Sequence, residues 1–143
     1  MLVTNLKLRV RNLNPYVSML VSRDGDNDLC YTDDGQYTSE LHVEAAIYLL
    51  AHSVMPQVII SEGKSGAWHI IKGGGFIKAL VAYVRDDLVY PMEGRIESFR
   101  GKRFSELSRM AQREINQTSI PVTLGDEHVD LLCELSEISN QLS

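Results

Sequence analysis

The sequence predicts an α+β domain in which one mixed sheet carries packed helices. Three observations support this. Short β-branched runs such as Val58-Ile59-Ile60 and Trp68-His69-Ile70-Ile71 have strand character. Stretches with apolar residues three and four apart, at 39–52 and 76–84, have helix character. The two kinds interleave along the chain instead of segregating. A chain of 143 residues suits a single domain, able to bury about 70% of its unfolded surface. With 44% hydrophobic and 23% charged residues it has the composition of ordinary globular proteins. No apolar run approaches the ~20 residues that span a bilayer, and the start MLVTNLKLRVRNL has no signal-peptide core, so a cytoplasmic location is expected.

The elements follow in order. Leu6, Leu8 and Val10 alternate with Lys7, Arg9 and Arg11, a half-buried strand pattern. Asn12-Leu13-Asn14-Pro15 then turns the chain, and Tyr16 to Val21 reads as the hairpin partner. Arg23 to Gln36 is rich in Asp and Gly, a loop or a marginal hairpin around Leu29-Cys30-Tyr31. From Ser39 to His52 the period is helical, with Val43, Ala46, Ile47 and Leu50 on the inner stripe. After Pro56, the strands at 58–60 and 68–71 flank the turn Glu62-Gly63-Lys64-Ser65-Gly66. Phe76, Ala79, Leu80, Tyr83 and Val84 mark an amphipathic helix, and Leu88-Val89-Tyr90 a short extended piece. Ser105 is the expected cap of a helix with Leu107, Met110, Ala111 and Ile115 inward. Ile120-Pro121-Val122-Thr123-Leu124 reads as an edge strand because of its proline. Gly125 and Asp126 lead into a last helix with Val129, Leu132, Leu135 and Ile138 inward.

Charge and cysteine usage narrow the chemistry. The net charge of −5 argues against a general phosphate-backbone binder. Acids crowd one early loop (Asp24, Asp26, Asp28, Asp33, Asp34) and the C-terminal segment (Asp126, Glu127, Asp130, Glu134, Glu137). The basic exception is an interaction stretch comprising Arg95, Arg100, Lys102, Arg103, Arg109 and Arg113. Cys30 and Cys133 form no CxxC pair, so neither a disulfide nor a zinc site is expected. Gly63-Lys64-Ser65 mimics the end of a P-loop, but Val58 stands where that motif requires glycine. Asp24, Asp26 and Asp28 mimic a calcium loop, yet Leu29 and Gly35 occupy the places of its glycine and its glutamate. His42, His52, His69 and His128 make no metal-ligand pair, and no nucleophile elbow stands near His42. No metal or cofactor is expected.

The run Lys72-Gly73-Gly74-Gly75 sits where a strand ends and a helix begins. Such a junction aims unpaired amides and the positive end of the helix dipole at any anion, and Lys72 and Lys78 add charge. The candidate phosphate-binding residues are therefore Lys72, Gly73, Gly74, Gly75 and Lys78. A plain turn explains the same glycines.

Over roughly Ser39 to Leu124 the chain resembles the ParB/sulfiredoxin-like domain that opens type IV restriction enzymes of the GmrSD kind. The residues behind this resemblance are Leu49-Leu50, Pro56-Gln57-Val58-Ile59-Ile60, Trp68-His69-Ile70-Ile71 and a tail. That tail is Phe99-Arg100-Gly101-Lys102-Arg103-Phe104-Ser105-Glu106-Leu107, Gln112-Arg113 and Ile120-Pro121-Val122. The expected organisation is one domain: strands and an acidic loop at 1–38, the core that resembles the family at 39–124 and a terminal helix at 125–143. In that family an Asp-Gly-Gln-Gln-Arg loop is associated with nucleotide binding and hydrolysis. Here Lys72 replaces the acid, Gly74 and Gly75 the glutamines, and Phe76 the arginine. A phenylalanine cannot clamp a phosphate as a guanidinium does.

The leading expectation is thus a non-catalytic, stand-alone protein acting by macromolecular binding. The partner expected from the resemblance is a host nuclease or defence protein, regulated or inhibited by a phage-encoded or defence-associated factor. A nucleotide-hydrolysing enzyme is the second reading, and it needs Glu62 or His69 for acid–base work. A third makes the chain an acidic DNA mimic, or a DNA-binding module acting through its basic stretch.

Overall fold

The computed structural model describes residues 10–31, 38–63, 65–125 and 137–142. Among the described residues the elements are β1 (Arg11–Leu13), α1 (Val17–Gly25), β2 (Leu29–Tyr31), α2 (Glu40–Ala51), β3 (Val58–Glu62), β4 (Trp68–Lys72), α3 (Gly74–Val84), α4 (Arg109–Asn116) and β5 (Val122–Gly125), with a further helical piece at 137–141. Single turns of 3₁₀ helix lie at Glu97–Phe99 and Phe104–Glu106.

The sheet is mixed, in the order β1-β5-β3-β4-β2. β3 and β4 form an antiparallel hairpin whose register pairs Glu62 with Trp68 and Ile59 with Lys72. β5 lies parallel to β3, β2 parallel to β4, and β1 antiparallel to β5. Val58 to Ser61 is buried throughout, as befits a central strand covered on both faces. β4 alternates instead, with Trp68 and Ile70 buried and His69 exposed. The predicted stripe of α2 (Val43, Ala46, Ile47, Leu50) is wholly buried. α3 is the most apolar helix, burying Phe76, Ile77, Ala79, Leu80, Val81 and Tyr83 and packing on both α1 and α2.

Several expectations need correction. Tyr16 to Val21 is not a strand, since Val17–Gly25 is helix α1 with Val17 and Leu20 inward. A short apolar run fits either period, and here Pro15 ends the preceding extended piece by accepting a bond from the Ile120 amide. The expected turn at Asn12–Pro15 instead begins as strand, because Arg11–Leu13 pairs with Leu124–Val122. Leu29-Cys30-Tyr31 is a true strand, lying parallel to β4, not part of a local hairpin. Leu88-Val89-Tyr90 forms no strand. Ser108 caps α4 in place of Ser105, and Met110 is 72% exposed instead of inward. β5 is internal and not an edge strand, because Pro121 precedes the ladder and its missing N–H interrupts no bond. Ile138, expected inward, is 46% exposed. Leu6, Leu8, Asp33, Asp34, Val129, Leu132, Cys133 and Leu135 lie outside the described residues.

The long connection from α3 to α4 is organised by Tyr90, whose side chain is fully buried. Its hydroxyl donates to Glu44 Oε2 at 2.8 Å and accepts from the Ile96 amide at 3.0 Å. Arg95 adds two bonds to the Glu44 carboxylate, at 2.7 and 3.3 Å, and lies over the Tyr48 ring. Gly94 is fixed by the same ring, since a methyl group there would run into Tyr90. Tyr83 contrasts with it: the ring packs edge-on against Phe104, but its buried hydroxyl has no partner among the described residues.

Two outcomes follow for these phenols. Tyr90→Phe should cost about 1–3 kcal/mol in urea unfolding, because it orphans the Ile96 amide and removes a donor from Glu44. Tyr83→Phe should be neutral or stabilising, since it removes an unpaired buried hydroxyl. The pH dependence carries a definite sign. Burial, reinforced by the Glu44 carboxylate, pushes the Tyr90 phenol up to about 12, against the opposing Ile96 amide bond. Unfolded chains release that proton near pH 10, so the stabilisation is complete below pH 10 and is lost as pH rises toward 12. Burial shifts Tyr31 and Tyr83 upward as well. Denaturant midpoints should therefore fall across pH 10–12, less steeply in Tyr90→Phe.

Candidate functional site

The junction between β4 and α3 has the geometry its glycines suggest. Gly73 adopts a left-handed conformation, φ +86°, as the N-cap of α3. A methyl group at this position would lie 2.7 Å from the Gln57 carbonyl oxygen and 2.9 Å from Val58 Cγ2. Gly73 is thus required twice, by its backbone angle and by the strand packed against it. Gly74 is different, because a methyl there would meet only Tyr31 and Ile70 at ordinary contact distances of 3.6 and 3.7 Å. Gly73→Ala should therefore destabilise by about 3 kcal/mol, combining left-handed strain with overpacking. Gly74→Ala should stay within about 1 kcal/mol of the parent, and equilibrium unfolding of the pair separates the two cases.

No side chain caps the first turn of α3, whose first main-chain bond runs from the Ile77 amide to the Gly73 carbonyl at 3.2 Å. Its leading amides open onto a cleft of about 480 Å³. All five candidate phosphate residues line this cleft: Lys72, Gly73, Gly74, Gly75 and Lys78. Lys72 Nζ donates to Gln57 Oε1 at 3.2 Å, and Lys78 Nζ lies 5.6 Å from the centre of the Tyr31 ring. The walls are mainly apolar, with Ala45, Ala46 and Leu49 from α2, Pro56, Ile70 and Ile71 from the sheet side, and Phe76 from α3.

Sequence reasoning missed three further lining residues. Tyr31, Thr38 and His42 come from segments that read as loop and helix start. The signal in hand for His42 was Ser39 three residues earlier, the spacing of a helix-capping pair. His42 Nδ1 accepts from the Ser39 amide at 3.3 Å, and the His42 amide donates to Ser39 Oγ at 3.4 Å. The Tyr31 hydroxyl is buried without a partner among the described residues.

The acid–base residues of the enzyme reading are elsewhere. Glu62 and His69 are not among the described residues lining the cleft. They sit at the other end of the β3–β4 hairpin, where Ser61 pairs with His69 and Glu62 with Trp68. Glu62 accepts from Trp68 Nε1 at 3.1 Å and from Arg11 at 3.2 Å, while the Arg23 guanidinium covers the Trp68 ring at 3.8 Å.

The basic stretch divides. Arg95 is held by Glu44, Arg100 donates to the Gly94 carbonyl at 2.7 Å, and Arg103 donates to the Asp86 carbonyl at 2.6 Å. These three pin the chain between α3 and α4. Lys102, Arg109 and Arg113 are exposed. Asp24, expected in an acidic loop, lies in the last turn of α1, as Arg23 does, and pairs with Arg85. Among the described residues no group of three His, Cys, Asp or Glu is placed to hold a metal ion. No helix among them is long and apolar enough to cross a membrane. Compared with known protein families, characterised proteins and solved structures, the chain matches none.

Proposed function

We propose that this protein works in the cytoplasm by binding instead of catalysis, with the cleft at the start of α3 receiving an anionic group of its partner. The observation that carries this reading is the division of labour along the β3–β4 hairpin. Cations and main-chain amides gather at the Lys72 end, whereas Glu62 and His69 stand at the turn end. Electrostatic attraction needs only the first set. Hydrolysis needs a positioned acid or base as well, and the imidazole that does line the cleft, His42, has its Nδ1 engaged by the Ser39 amide.

The partner we propose is a macromolecule, and the tail resemblance to the restriction-enzyme domain favours a nuclease or defence protein over a metabolite. In that reading the protein regulates its partner by occupying it. Phe76 is buried, and by the resemblance it stands at the position where the family has an arginine, which supports binding over hydrolysis.

Nucleotide hydrolysis is the second reading, favoured by the cleft's size, which suits a ligand as large as a nucleotide. A paired measurement separates the two. Purified protein incubated with each nucleoside triphosphate and Mg²⁺ should release no phosphate above a blank. Replacing both lysines (Lys72→Ala with Lys78→Ala) should weaken capture of the partner by tenfold or more in low salt, with the fold intact by circular dichroism. Phosphate release abolished by Lys72→Ala would establish the enzyme instead.

A further inference from the structure

The cleft does not stop at the glycine loop. Each of the five strands has one end at the same rim of the sheet. The register sets Leu13 beside Val122, Val122 beside Val58, Ile59 beside Lys72 and Ile70 beside Tyr31. A second hollow, of about 240 Å³, lies along the part of that rim formed by β1, β5 and β3. It shares Pro56 with the cleft, and Gln57 on its wall accepts the bond from Lys72, which lines the cleft. The two form one furrow. Neighbouring strands lie about 4.8 Å apart, so four spacings make it about 19 Å long, the span of about six residues of extended chain.

Resting on the binding reading above, we propose that this furrow receives an extended segment of a protein partner. One acidic residue of the segment sits at the glycine loop, and the chain beside it lies over Pro56 toward β1. Charge selects a polypeptide over a nucleic acid. Lys72 and Lys78 line the cleft, whereas no described residue lining the second hollow is charged. A nucleic acid strand carries a phosphate at every nucleotide and calls for cations along its whole path. A segment with a single acid needs them at one end only. Asn12, Asn14 and Gln57 are exposed on the second hollow. Side-chain amides both donate and accept, which matches the alternating N–H and C=O groups of an extended backbone. Met55, Pro56 and Pro121 add apolar surface for the side chains of such a segment.

Amide shift mapping on the ¹⁵N-labelled full chain tests this with defined probes. They are inorganic phosphate, ATP, hexathymidylate and acetylated, amidated hexapeptide pools with one Glu at the first or last position among uncharged residues. Phosphate should move the Gly74 and Gly75 amides and leave Asn12 and Asn14 in place. One peptide pool should move all four together with Thr123, and exchanging its Glu for Gln should abolish the response at the glycines. Asn12→Ala with Asn14→Ala, both at exposed positions, should weaken that pool about threefold or more, as lost hydrogen bonds do. Phosphate affinity should be unchanged in the same variant. Peptides that move only the glycine amides would overturn the proposal and keep the anion-binding cleft. So would hexathymidylate or ATP reaching Asn12 and Asn14 where the peptides do not. Glycine amides that answer to no anion would overturn the binding role of the cleft itself.

Discussion

Gly73 sets the geometry on which the cleft depends. The chain leaves the sheet at Lys72 and must enter α3 at once, with the Gln57 carbonyl and Val58 pressed against the turn. A left-handed residue without a side chain allows that passage. Because α3 is the helix that both α1 and α2 pack on, an error in its starting direction would be felt across the core. The same turn leaves the first turn of α3 without a side-chain cap and beside the cleft. Gly73 is thus fixed by the turn, whereas Gly74, with room for a methyl group, answers to it less strictly.

A second constraint holds the long connection between α3 and α4. Glu44 keeps its carboxylate at 13% side-chain exposure, and such a group is tolerable only when hydrogen-bonded. Tyr90, the Arg95 amide and the Arg95 guanidinium supply three donors. Removing one partner leaves a desolvated charge behind, which is why these contacts act as a unit. The cluster also changes the meaning of the basic stretch. Three arginines of the stretch also hold the chain between α3 and α4, while Lys102, Arg109 and Arg113 are exposed.

The legibility of the fold tracked the length and regularity of each pattern. α2, α3 and the β3–β4 hairpin were readable because each carries a full stripe or an unbroken β-branched run. α1 was misread because Tyr16 to Val21 is too short to display its period, and its polar second half looked like loop. β2 has three residues and gains its identity only by lying beside β4. At the candidate site, Lys72 to Gly75 and Lys78 were found because they are contiguous. Tyr31, Thr38 and His42 were not, since the topology alone brings them there. Arg95 and Glu44 are 51 positions apart, and no local pattern pairs them.

The hairpin register also explains why Glu62 and His69 lie away from the cleft. Residues in a strand advance by about 3.3 Å each and alternate between faces. His69 is three residues before Lys72 and opposite in face to Trp68 and Ile70, which are buried. Shifting β4 by one residue to turn His69 inward would expose Trp68 and Ile70 and break the Trp68–Glu62 bond. Exposing two such side chains costs several kcal/mol, a large part of a typical domain's stability. The arrangement that packs the sheet is therefore the one that keeps His69 and Glu62 away from the glycine loop.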